Sequence, residues 1–154
     1  MKTSAKVILS LFILILIGCS STKKSLDKAH FELMEAYAKP WVSGIKGGGS
    51  GIEYTFVLKV GKISNISFGD IWVNNQKLSS KVVKDNMLLT DQRTIVSGDQ
   101  VKLRCSGEKV ATKEEHAPKP LAANQSLISY YLNDSSIKYF LVETMDIKKD
   151  ENRQ

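Results

Sequence analysis

The stretch Gly47-Gly48-Gly49-Ser50-Gly51-Ile52-Glu53-Tyr54-Thr55-Phe56-Val57-Leu58-Lys59-Val60 decides the fold class. A glycine-rich turn leads into nine residues rich in β-branched and aromatic side chains, the composition of a strand. Successive side chains on a strand point to opposite faces. Tyr54, Phe56, Leu58 and Val60 therefore share one face, which reads as a core face, and Glu53 points the other way. Trp41 to Lys46 reads as a strand on the near side of the glycines, so the two segments form a hairpin. Its turn, 47–51, lacks a two-residue signature.

Strand signals continue toward the C-terminus. Ile66 to Val73 is a strand, Asn74-Asn75-Gln76 a turn and Lys77 to Lys84 the return. Asn86 to Thr90 and Thr94 to Ser97 are short candidates, and Gly98-Asp99 is a turn before Gln100 to Ser106. Glu108 to Ala123, with Pro118 and Pro120, reads as a polar loop. Leu127 to Leu132 and Ile137 to Asp146, joined by Asn133-Asp134-Ser135-Ser136, form the clearest hairpin. Short strands at hairpin spacing without interleaved helices predict a mainly β domain over 41–147. The expected architecture is a single antiparallel β-sandwich of immunoglobulin-like type, although the Cys–Trp–Cys pattern of true immunoglobulin domains is absent. Residues 148–154 read as a disordered, charged tail.

Upstream of Trp41 the pattern changes. Leu26, Ala29, Leu33 and Tyr37 fall on one helical face with Met34 beside it, Ser25 offers an N-cap and Pro40 stops the pattern, so a short helix is expected over 26–39. Lys2 and Lys6 precede an apolar run from Val7 to Ile17, eleven residues broken only by Ser10. A membrane-spanning helix needs about 20 apolar residues, so the run fits a cleavable signal segment. It ends in Leu16-Ile17-Gly18-Cys19, an aliphatic residue, a tolerant position, a small residue and a cysteine, which looks like a lipobox. Residues 1–18 are thus expected to be a lipoprotein signal peptide. Cys19 is expected to be the lipid attachment site, carrying palmitate-type acyl chains, and 19–25 a lipidated tether. Two or more acyl chains anchor firmly where one binds only marginally.

The signal segment, together with the pattern W-x-x-G-x-x-G-G-G-S-G from Trp41 to Gly51, resembles small lipoproteins of Gram-negative bacteria that have no assigned activity. The resemblance covers the signal, the helix and the first hairpin, and the later strands loosely. Ser20 after the lipidated cysteine resembles the outer-membrane export pattern of such proteins, where an aspartate resembles a retention signal. The resemblance therefore implies an envelope protein on the outer membrane, and because no acidic cluster follows Cys19, the next charges being Lys23 and Lys24, the periplasm-facing leaflet is favoured.

Charge and cysteine content narrow the partners. Residues 1–18 hold two of the 22 basic residues, so the remaining 136 carry 20 basic against 16 acidic side chains, a balance of +4. The basic residues are scattered among acids and form no stripe, so no nucleic-acid partner is expected. With Cys19 acylated, Cys105 has no disulfide partner, and in Val101-Lys102-Leu103-Arg104-Cys105 it keeps the phase of Val101 and Leu103, which places it facing the core.

Candidate chemistry is sparse. His30 and His116 are the only histidines, with no H-x-x-x-H, C-x-x-C or H-E-x-x-H spacing, so no metal site and no cofactor are expected. No G-x-S-x-G is present, and neither histidine adjoins a recognisable nucleophile. Lys46 precedes the glycine run and a strand follows it, the reverse of a phosphate-binding loop. Glu53, Asp70 and Glu143 fall on or near strands, with nothing to bring two of them together. Trp41, Tyr54, Phe56, Phe68, Trp72, Tyr130, Tyr131, Tyr139 and Phe140 are the candidate aromatic platform. One member each of Tyr130-Tyr131 and Tyr139-Phe140 is expected to face outward. No catalytic residue is expected. The expected function is a non-enzymatic binding or accessory module of the cell envelope, held at the membrane by its lipid, with an envelope protein or glycan as partner. The alternatives are a small envelope hydrolase using surface carboxylates, and a periplasmic metal-handling protein using the two histidines and the methionines.

Overall fold

The computed structural model describes residues 30–44, 49–63, 65–108, 116–133 and 136–149. The expected signal segment, lipobox, Cys19 and tether lie outside the described residues. Ten strands follow in order: β1 (Phe31–Val42), β2 (Ser50–Val60), β3 (Ile66–Val73), β4 (Gln76–Ser79), β5 (Lys81–Lys84), β6 (Met87–Leu88), β7 (Gln100–Glu108), β8 (Ser126–Leu132), β9 (Ile137–Val142) and β10 (Asp146–Ile147). Among the described residues the helical content is one 3-10 turn, Gln92–Thr94. The strands form a six-stranded sheet in the order β10-β1-β2-β7-β5-β6 and a four-stranded sheet in the order β4-β3-β8-β9. The domain is mainly β, as the sequence predicts.

One core lies between the sheets. The six-stranded sheet contributes Phe31, Tyr54, Phe56, Leu58, Val101 and Leu103, and the other sheet Phe68, Ile71, Ile128, Tyr130 and Phe140. Phe31 is its aromatic centre, with ring centroids 4.8 Å from Tyr130, 5.4 Å from Phe68 and 5.8 Å from Phe140. Such tilted and edge-to-face contacts add about 0.5–1.5 kcal/mol each beyond area burial.

The helix expected over 26–39 is corrected where it is described: Phe31–Val42 is a strand, paired with β2 from Phe31↔Val60 to Val42↔Ser50. The register slips between Leu33 and Glu35, leaving Met34 as the extra residue of a bulge. The bulge changes the phase of alternation, so the core-side residues are Phe31 and Leu33 before it and Ala36 and Ala38 after it. Spacings of two, three and two imitate a helical stripe. Pro40 pairs with Ile52 on one side and lies beyond the short β10 pairing at Tyr37 and Ala38, so its missing N–H costs no ladder bond there. That β1–β10 pairing is parallel, which departs from the wholly antiparallel expectation. Lys148, assigned to the tail, is tied down: its amide donates to the Ala38 carbonyl at 2.9 Å, and its ammonium pairs with Glu35 and sits 3.7 Å over the Tyr37 ring.

The return strand expected over 77–84 is two strands. Asn74 and Asn75 both take positive φ and turn β3 into β4, and Asp85 and Asn86 do the same between β5 and β6. Positive φ at both central residues is the mark of the two-residue hairpin turn that matches strand twist. Between them, at Ser80, the chain leaves one sheet for the other. β4 pairs with β3, and β5 pairs with β7. Three side chains satisfy the backbone around a bulge in β3 between Phe68 and Ile71. Ser80 Oγ donates to the Gly69 carbonyl at 2.6 Å and Ser129 Oγ to the Asp70 carbonyl at 2.8 Å. Gln92 accepts from the Phe68 amide at 2.6 Å and donates to its carbonyl at 3.2 Å, taking the place of a missing neighbour strand.

Candidate functional site

The switch of sheets at Ser80 opens a groove. β5 pairs with β7 only from Lys81↔Arg104 to Val83↔Lys102, so Cys105 to Glu108 have no partner from β5. β4, the end strand of its own sheet, runs beside that free stretch: a side chain added at Gly107 would meet Leu78 at 3.5 Å and Gln76 Oε1 at 2.7 Å. A cavity of about 710 Å³ follows this seam, lined by Lys77, Leu78 and Ser79 of β4, Lys81 and Val83 of β5, Leu88 of β6, and Arg104, Cys105 and Ser106 of β7, with Glu53 at its side.

Its electrostatics are layered. Arg104 holds Glu53, with Nε 2.7 Å from Oε1, and Lys77 lies 3.3 Å from Asp70. Both pairs are solvent-exposed, so each is worth at most about 1 kcal/mol. Lys81 is exposed and has no acidic partner among the described residues. Cys105 lies below with 5% of its surface accessible. Burial, then the Glu53 carboxylate, push its thiol up to about 12, so it is no nucleophile near neutral pH. Tyr54, its cross-strand neighbour, is raised by burial as well, against a hydrogen bond from Asn74.

At one end the groove meets the aromatic of the first hairpin. Trp41 faces Gly51 across β1 and β2, and its indole N–H donates to Ser106 Oγ at 3.2 Å. A Cβ at Gly51 would come within 2.9 Å of that indole and closer still to the Gly107 carbonyl oxygen. The spacing from Trp41 to Gly51 therefore has a packing reason: the glycine makes room for the indole. Gly49 takes φ +80°, and its carbonyl accepts from the Ser43 amide at 3.0 Å, which closes the turn. Gly47 and Gly48 lie outside the described residues.

The sequence-derived candidates do not converge. His30 Nδ1 lies 3.1 Å from the hydroxyl of buried Tyr130, while His116 is exposed in the loop before β8. No group of three or more His, Cys, Asp or Glu among the described residues could hold a metal ion. Glu53, Asp70 and Glu143 are engaged by Arg104, Lys77 and Gln125 respectively, so no two share a partner. Tyr130 and Phe140 are buried, with Tyr131 and Tyr139 partly exposed, and Tyr139 meets Trp72 edge-on at 5.9 Å. That outer pair stabilises the sheet. The lysines and arginine of the groove were invisible to sequence reading, because only the crossing at Ser80 assembles them. Comparison with known proteins finds no matching family model, no matching curated protein and no matching solved structure.

Proposed function

We propose that this protein is a non-enzymatic binding or accessory module of the cell envelope, anchored by lipid on Cys19. The single observation that carries the anchor is the run from Val7 to Ile17 ending in Leu16-Ile17-Gly18-Cys19. Length supports a cleaved segment over a membrane span, and a small residue before the cysteine suits signal cleavage there. Ser20 favours the outer membrane, and the lack of an acidic cluster after Cys19 favours a domain that faces the periplasm. The two sheets are read as a sandwich of immunoglobulin-like architecture, displayed on a tether that begins at the lipid. The groove at the seam of the sheets is the surface on which a partner is expected.

The test is metabolic labelling with radioactive palmitate and mass spectrometry of the mature N-terminus. The expected product starts at Cys19, carries acyl chains and stays with the membrane fraction, whereas Cys19→Ser loses both label and membrane. A mature chain with an unmodified residue 19, or one beginning at Met1, would falsify the anchor.

A further inference from the structure

We propose that the groove between β4 and the free end of β7 binds a short extended peptide bearing carboxylates. Lys77, Leu78 and Ser79 are consecutive, yet all line one cavity. Neighbouring residues on a strand point to opposite faces, so a cavity that touches three in succession touches the edge of the strand, where the backbone is. β4 pairs only with β3 and offers that edge unpaired. Arg104, the last β7 residue paired with β5, and Cys105 and Ser106 just beyond that pairing line the same cavity consecutively. The walls are therefore strand edges, and the ligand that satisfies a strand edge is another extended backbone.

Side chains narrow the class. Lys77, Lys81 and Arg104 line the cavity from both sheets; Arg104 engages Glu53 and Lys77 engages Asp70, and exposed Lys81 adds a cation with no acidic partner among the described residues. Leu78, Val83 and Leu88 supply apolar contact, and Leu88 is 58% exposed. Cations and apolar groups in one slot suit a strand that alternates acidic and apolar residues. The four residues of β4 span ~13 Å, which matches an added segment of about four residues. The cavity volume is within the ordinary range for a small ligand. This inference rests on the binding-module reading and names its ligand.

The test uses the full chain in dodecyl maltoside micelles and fluorescence anisotropy of labelled pentapeptides. The peptide Glu-Val-Glu-Val-Glu is expected to bind saturably and more weakly as salt rises, and Lys-Val-Lys-Val-Lys is expected not to bind. Lys81→Glu should weaken the acidic peptide about tenfold, since it sets like charges opposite each other. Lys62→Glu makes the same charge change in the exposed bend after β2 and should alter binding less than twofold. An acidic peptide with N-methylated backbone should also lose about tenfold. Equal binding of the acidic and basic peptides, or equal effects of the two lysine variants, would overturn the proposal. Undiminished binding of the N-methylated peptide, matched by competition from dodecanoate, would assign the groove to an anionic amphiphile and overturn it too. Peptide binding is read whether or not Cys19 is acylated. A silent titration on acylated protein removes the peptide alone, and binding by a chain without lipid removes the anchor alone.

Discussion

Gly51 shows how much a single missing side chain organises. Its absent Cβ makes room for the Trp41 indole, whose N–H reaches Ser106 at the end of the groove. Gly51→Ala forces the indole and the Gly107 carbonyl to move. Overpacking of this kind costs about 1–3 kcal/mol, and the urea midpoint should fall with Trp41 fluorescence shifted toward that of a solvated indole. Cys105 carries a second prediction. Its thiol is raised from an ordinary value of 9.0 to about 12 in the fold. Above pH 9 the unfolded chain releases a proton that the folded chain keeps, so stability falls as pH rises from 9 toward 12. The slope is at most about 1.4 kcal/mol per pH unit. Tyr54, also raised, steepens the fall above pH 10. Chemical denaturation of Cys105→Ala between pH 8 and 10 should show a flatter profile than the parent; an equally steep loss would remove Cys105 as its source. The core-facing placement of Cys105 was legible, because alternation with Val101 and Leu103 is local information. The contact of Trp41 with Gly51 and Ser106 was not, because Ser106 is 65 residues away in sequence.

At the scale of elements, legibility follows regularity. β2, β7 and β8 pair with β7, β2 and β9 without a register shift, and each was readable within two residues of its observed ends, whereas β9 stops at Val142, four residues short of the expected Asp146. β1 was not, because the bulge at Met34 resets the alternation and helical spacing fits the result better. The two readings make opposite demands on Phe31 and Met34. In a helix with Leu26, Ala29, Leu33 and Tyr37 inward, Phe31 falls off the apolar stripe and Met34 beside it. In the observed strand Phe31 is buried at the aromatic centre and Met34 is 54% exposed. Phe31→Ala should therefore cost about 3–5 kcal/mol, the range for deleting a core aromatic. Met34→Ala should stay within about 0.5 kcal/mol of the parent, as exposed substitutions do. Thermal melts of the two variants decide between the readings, and a larger loss at Met34 would reinstate the helix. The break at Ser80 was equally illegible, since no glycine or proline marks it. Its cause is the set of long-range bonds around the β3 bulge, among them Ser80 Oγ to Gly69.

For the molecule as a whole, that break couples the sheets. One chain segment, 76–84, serves first as an edge of the four-stranded sheet and then as an inner strand of the six-stranded one. Ser80 and Gln92 fasten the backbone of β3 from segments that continue into the other sheet. The core draws on both sheets with Phe31 between aromatics of the second, so removing either sheet strips the apolar cover from the other. Neither sheet has a core of its own, and all-or-none unfolding is the expectation for a domain of this size. The two tryptophans lie where this can be read: Trp41 on β1 reports the six-stranded sheet, and Trp72 on β3 reports the other. In Trp72→Phe the fluorescence of Trp41, and in Trp41→Phe that of Trp72, should each give a urea midpoint coincident with the far-ultraviolet circular dichroism of the same variant. Comparison within one variant removes the stability cost of the substitution itself. Midpoints that part, with the Trp72 signal lost while strand dichroism persists, would show the four-stranded sheet detaching as its own unit. The groove between β4 and β7 would then be a hinge, and a peptide pairing with a strand edge there would raise the first midpoint and leave the second in place. With the sheets coupled, the same peptide adds RT ln(1 + [L]/Kd) to the stability of the whole domain and raises both midpoints together.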